Sequence, residues 1–171
     1  MQMVSWALWS YNRKSKSSEL VIRDCWEGVK SCLVIWPGEG LDIIAAEIVL
    51  NRLRERFPLA TLTVSALPGI GASLISDLNV KVIQIDRKMF NFFGLPLRGL
   101  RDELLDIRAD VAVDLSPVFN VISAYLCRIS RARICVSFAD PRGDMAYNYQ
   151  IAPGPNREGL DRYRALARYI G

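Results

Sequence analysis

The 171-residue chain contains no histidine. That removes serine–histidine and cysteine–histidine catalysis together with the commonest general base, so any chemistry rests on carboxylates, lysines, backbone N–H groups or a bound ion. Its four cysteines, Cys25, Cys32, Cys127 and Cys135, form no CxxC pair, which leaves no zinc-ligand spacing. No apolar run approaches the roughly 20 residues that span a bilayer. No G-x-x-x-x-G-K-[ST] cradle for phosphates is present. Charge of one sign is scarce as well. The net charge is only +4, arginines alternate with acids, and no basic stripe carries interleaved aromatics, which argues against nucleic acid as a partner.

Residues 1–16, MQMVSWALWSYNRKSK, lack the order of a secretory signal, because the basic residues follow the apolar ones. They read as a loose or partner-seeking tail. A lesser reading sets Trp6, Leu8 and Trp9 against a membrane surface beside Arg13, Lys14 and Lys16.

What the sequence does have is alternation. CLVIW (32–36), TLTVSA (61–66), VKVIQI (80–85), DVAVDL (110–115) and ARICVSF (132–138) read as strands. Between them run helical patterns. Ile43, Ala46, Leu50, Leu53 and Phe57 mark a helix from Asp42 that Pro58 stops. A short helix is expected over 73–77. Leu97, Leu100, Leu104 and Ile107 mark the next helix, and Val118, Val121, Ile122, Tyr125, Leu126 and Ile129 another.

Strands alternating with helices predict an α/β, Rossmann-like three-layer domain. Its parallel sheet has about five strands in the order 3-2-1-4-5, with extra terminal helices. We divide the chain into an N-terminal extension (1–31), the Rossmann-like domain (32–139), and a polar loop with a connector helix (140–171). That last helix, marked by Leu160, Tyr163, Ala167 and Ile170, either packs back on the domain or leads elsewhere.

In such a sheet ligands bind at the carboxyl ends of the strands, where the strand order reverses. The loop after the first strand, WPGEGLD (36–42), and that after the fourth, DLSP (114–117), are then expected to border one crevice, bringing Gly38, Gly40, Asp42, Ser116 and Asn120 together. The loop is not a dinucleotide fingerprint. Gly38-Glu39-Gly40 is followed by Ile43 where a third glycine belongs, and the second strand ends Ser65-Ala66-Leu67 without an acid for a ribose. No cofactor and no metal is therefore expected. Asp42 reads in two ways, as an acid stabilised by the helix N-terminus or as a general base. Glu39 is a second acid beside it, and Asp114 reads as a strand-ending acid that equally caps the following helix.

The segments LVIWPGEGLDIIAAEIVLNRLRERFPLATLTV, LPGIGASLISDLNVKVIQIDRK, LRGLRDELLDIRADVAVDL and RARICVSF, in that order, resemble the N-terminal half of the ADP-heptose–lipopolysaccharide heptosyltransferase family. The tail YNYQIAPGPNREGLDRYRALARYIG resembles the family's connector to its second domain. The resemblance covers about residues 32–171. It implies one lobe of a two-domain glycosyltransferase B-type fold that binds a glycan or glycolipid acceptor, while a donor domain or subunit binds the ADP-sugar. It also implies a place in the cytoplasm at the inner face of the membrane, with Asp42 as the base and the residues around Gly38, Glu39, Gly40, Ser116 and Asn120 holding the acceptor. The chain departs from the family's pattern at Leu41, where a glycine precedes the aspartate, at Trp36–Glu39, and at Ile48, where a proline stands. It also stops where the donor domain begins. Two readings follow: an acceptor half that is inactive without its donor half, or a repurposed, non-catalytic domain that binds protein or glycan. A small nucleotide-binding regulator is weakened by both failed fingerprints, and self-association into a homo-oligomer is left open.

Overall fold

The computed structural model describes residues 26–36, 43–66, 80–92, 94–154 and 158–170. The expected alternation is realised as one parallel sheet. Strands β1 (Ser31–Ile35), β2 (Thr61–Ala66), β3 (Lys81–Gln84), β4 (Val111–Asp114), β5 (Ile134–Phe138) and β6 (Tyr149–Ile151) lie in the order β3-β2-β1-β4-β5-β6. The five expected strands keep their expected order, and β6 adds a sixth, parallel to β5. Cys32 lies opposite both Leu62 and Val111, so the carboxyl ends of β1, β2 and β4 finish level with one another.

Four α-helices occur among the described residues: α1 (Ile43–Arg56), α2 (Arg98–Asp106), α3 (Val121–Ile129) and α4 (Leu160–Tyr169). Alternate strand residues feed two separate cores. Val34, Val113 and Val136 meet Ala46, Leu50 and Leu53 of α1 and Tyr163 and Leu166 of α4. Leu33, Ile35, Ala112 and Cys135 meet Leu100 and Leu104 of α2 and Leu126 and Cys127 of α3. The helix at the end of the chain thus packs back on the domain against α1. A sheet covered on both faces explains why its strands read as continuous apolar runs.

The buried faces of two helices are rotated from the expected stripes. In α1 the buried set is Ala45, Ala46, Val49, Leu50 and Leu53, while Ile43 is 42% exposed. In the second case the helix starts only at Val121, because Asn120 caps it. Val118 lies before it and is 69% exposed, Ile122 is 41% exposed, and the core takes Ser123, Ala124, Leu126, Cys127 and Ile129. The short helix expected over 73–77 lies outside the described residues.

The amino ends of the central strands are tied together. Asp110 Oδ2 accepts from Lys30 N at 2.8 Å and Ser31 N at 3.1 Å. Just before β1, Trp26 stacks on Phe57 and meets Tyr149 edge-on, with ring centroids 6.1 and 5.6 Å apart.

Candidate functional site

The chain runs outward from β1 to β3 and then returns to β4, so the strand order reverses between β1 and β4. A cleft of about 620 Å³ opens there at the carboxyl edge. Three stretches line it: the end of β1 (Ile35 and Trp36), the connection after β3 (Ile85, Arg87, Phe90, Asn91, Phe92 and Gly94) and the first turns of α3 (Asn120, Ile122, Ser123 and Leu126).

The connection after β3 is a folded loop. Asp86 Oδ1 accepts from Lys88 N at 3.0 Å and starts a 3₁₀ turn over Arg87–Met89. Phe90 bridges to Pro96, and Leu97 N donates to Met89 O at 2.7 Å. Asn91 closes the loop, because its Oδ1 accepts from Leu95 N at 3.0 Å and its carbonyl from Gly94 N at 2.9 Å. Gly94 has φ of 74°, a conformation that costs other residues strain, so the turn depends on it. The loop brings Arg87, Phe90, Asn91 and Phe92 to the cleft. Arg87 belongs to none of the ion pairs among the described residues.

The opposite wall is the start of α3. Asn120 Oδ1 accepts from Ile122 N at 2.9 Å and Ser123 N at 3.2 Å, and the residue lines the cleft. Ser116 lies beneath that wall. It is buried, with its Oγ 2.6 Å from Asp114 Oδ1 and 3.2 Å from Ser123 Oγ. Asn120 and Ser116 are therefore brought together through Ser123, Asn120 at the cleft and Ser116 inside the protein. Gly38, Glu39, Gly40 and Asp42 lie outside the described residues.

Asp114 does not cap α3, because Asn120 does. The carboxylate is 1% exposed and accepts from Ser116 N at 2.8 Å, from Ser116 Oγ, and from the Tyr147 hydroxyl. Burial pushes its pKa up, and the hydrogen bonds from Ser116 and Tyr147 pull against that. Burial, then the nearby Asp114 charge, raise Tyr147. Nothing in the sequence pointed to Tyr147, Ser123, Arg87 or Asn91. The one usable signal was Asp-Leu-Ser, a short acid two residues before a donor, which favours a side-chain turn.

Among the described residues the thiols offer no ready nucleophile. Cys32, Cys127 and Cys135 are free and buried. Burial lifts Cys32 to about 12 and Cys135 to about 11, and Cys127 rises well above its ordinary value. Among the described residues no group of three or more histidine, cysteine, aspartate or glutamate side chains is placed to hold a metal, and no helix is long and apolar enough to cross a membrane.

With aromatic rings, two side-chain amides, one hydroxyl and one guanidinium around an apolar floor, the cleft suits a polar, ring-bearing ligand. No protein-family model matches the chain, nor does any curated protein. Solved structures do. A family 9 glycosyltransferase from Veillonella parvula matches 83% of this chain and 41% of its own, at 19% identity and a TM-score of 0.67. The Escherichia coli heptosyltransferase WaaC, solved with ADP, matches 81% of this chain and 46% of its own, at 15% identity and a TM-score of 0.63. The E. coli ADP-heptose lipopolysaccharide heptosyltransferase II matches 80% and 40%, at 22% identity and a TM-score of 0.58. The chain therefore has a fold found in glycosyltransferases. More particularly, it has the fold of a heptosyltransferase-like fragment, and it spans less than half the length of each of these proteins.

Proposed function

We propose that the chain is the acceptor-binding half of a heptosyltransferase-like sugar transferase, inactive until joined by a donor-binding half. The observation that carries this reading is the cleft at the strand-order reversal, in a fold shared with heptosyltransferases. In the reaction Asp42 takes the proton from an acceptor hydroxyl. That oxygen bonds to the anomeric carbon of the donor sugar, and the bond from that carbon to the nucleoside diphosphate breaks. Gly38, Glu39, Gly40 and Asn120 hold the acceptor, and Ser116 supports Asn120 from beneath. The ADP-sugar sits on the partner half, and the acceptor is a glycan or glycolipid met at the inner membrane surface.

A second observation supports the need for a partner. Among the described residues, six of the eight large exposed apolar side chains follow the carboxyl ends of β1, β3 and β4: Ile43, Ile44, Phe92, Leu97, Val118 and Ile122. Of these, Phe92 and Ile122 line the cleft, and exposed apolar side chains there suit a face that another body covers. Positioning across that gap supplies most of such a reaction, so one lobe alone gives no turnover.

Leu41, standing where the family has glycine, favours a second reading: a domain that binds glycan or protein without catalysis. Calorimetry with lipid-linked acceptors and with ADP-sugars separates the possibilities. The acceptor half binds the acceptor alone. With the donor half supplied, Asp42→Asn abolishes transfer and leaves acceptor affinity within a few-fold. Acceptor binding with no transfer, even with the donor half, selects the non-catalytic reading. Binding of the ADP-sugar in preference to the acceptor overturns both.

A further inference from the structure

The connection between β5 and β6, residues 139–148, reads in the sequence as a polar surface loop, yet it reaches across the sheet to the end of β4. Two contacts make the link. The Tyr147 hydroxyl donates to Asp114 Oδ2, and the Arg142 guanidinium lies 5.3 Å from the centre of the Phe119 ring. Asp114 and Phe119 bracket the loop that leads into α3, and α3 forms one wall of the cleft.

The connection is itself held firmly. Asp140 binds Arg142 at 2.8 Å, Gln150 Oε1 accepts from Asp140 N at 2.9 Å, and Gln150 Nε2 donates to Asp144 Oδ1 at 2.7 Å. Gly143 leaves no room for a side chain, because a Cβ there would stand 2.9 Å from Tyr147 Cδ2 and 3.0 Å from Gln150 Oε1. The tyrosine ring is thus wedged between Gly143 and the carboxylate.

From this geometry we infer that Asp114 and Tyr147 form a proton-responsive brace through which the β5–β6 connection positions the α3 wall of the cleft. The ionised carboxylate holds three donors; a proton on Oδ2 turns the Tyr147 hydroxyl from donor to acceptor, and a proton on Oδ1 does the same to the Ser116 hydroxyl. Ser116 Oγ already has an alternative neighbour in Ser123 Oγ, on the first turn of α3, and turning toward it carries the change into the wall. The groups that face Asp114 stay neutral near neutrality. They are Tyr147 from the connection, Cys127 from α3 and Tyr163 from α4, every one shifted upward; Cys135 of β5, also shifted upward, lies behind them against Cys127 and Tyr147, and the Arg128 charge acts on the two thiols. Asp114 is therefore the member of this cluster whose charge changes, and burial brings that change above the ordinary aspartate range.

Amide NMR on the full ¹⁵N-labelled chain tests the brace directly, because Ser116 N–H is bonded to the carboxylate. We expect the Ser116, Ile122 and Ser123 amides to titrate with one shared midpoint above the ordinary value of 3.8 for aspartate. Asp114→Asn abolishes that midpoint at all three. Tyr147→Phe, which removes one donor to the carboxylate, raises it. Gly143→Ala shifts the same amides and speeds their hydrogen exchange by tenfold or more, whereas Gly99→Ala, where a Cβ meets nothing within 4 Å, leaves them unchanged. A midpoint in the ordinary range, titration that survives Asp114→Asn, or α3 amides indifferent to Gly143→Ala each overturns the inference. None of these readouts depends on which ligand the cleft takes, so the brace and the functional proposal fail or stand separately.

Discussion

Arg131 and Arg108 have φ of 57° and 50°, each just past the end of a helix, where glycine usually sits. A left-handed conformation costs a residue with a Cβ roughly 1–2 kcal/mol. Arg131→Gly is therefore expected to raise stability by about 1 kcal/mol in chemical denaturation. Arg87 is exposed and belongs to the cleft rather than to either core. Arg87→Ala should leave the melting temperature unchanged and, on the proposed function, weaken acceptor binding roughly tenfold, the scale of one charged hydrogen bond. Asp114 gives a signed pH effect. Its folded pKa is raised, so the folded state holds the proton more tightly than the unfolded one. Stability is then lost as pH rises from 3.8 through the raised value, and the loss is complete above it. Asp140 acts oppositely. Its hydrogen bonds with Arg142 lower it to about 2, so its contribution is lost as pH falls from 3.8 through that value. Urea midpoints measured against pH should show the first slope in the wild type and not in Asp114→Asn.

Among the elements, α3 rests on one cap. Asn120→Ala removes the acceptor for two N–H groups and is expected to cost about 1 kcal/mol, read by denaturation, and to disturb the cleft wall in the same variant. This helix also shows what the sequence conveyed and what it withheld. Its existence was legible from apolar spacing. Its start was not, because Val118 and Ile122 continue the apolar period while the cap and the preceding proline decide where the backbone turns helical. The strand β6 was illegible for a different reason. Three residues carry too little periodicity, and Tyr149 and Gln150 are only half-buried. That a cleft opens where the strand order reverses, with Asn120 among its lining residues, followed from topology. Tyr147 did not, since its partner lies 33 residues earlier and no local pattern encodes that meeting.

For the whole molecule, sheet order and layering were legible because a two-sided parallel sheet writes itself as near-continuous apolar strands. The two cores are separated by the sheet, so damage to either is felt as cavity formation. Leu53→Ala and Leu104→Ala, each fully buried on opposite faces, should each cost about 2–5 kcal/mol, with nearly additive effects in the double variant.

The middle position of β1 has a consequence for how the chain reaches this state. Its partners are residues 61–65 on one side and 111–114 on the other, so half of its hydrogen bonds await a segment about eighty positions downstream. Until that segment emerges from the ribosome, Cys32–Ile35 is an oily ribbon with one raw flank, open to a neighbouring molecule in the same predicament. Refolding yield should fall steeply with protein concentration, and a slow phase should accompany closure of this long loop.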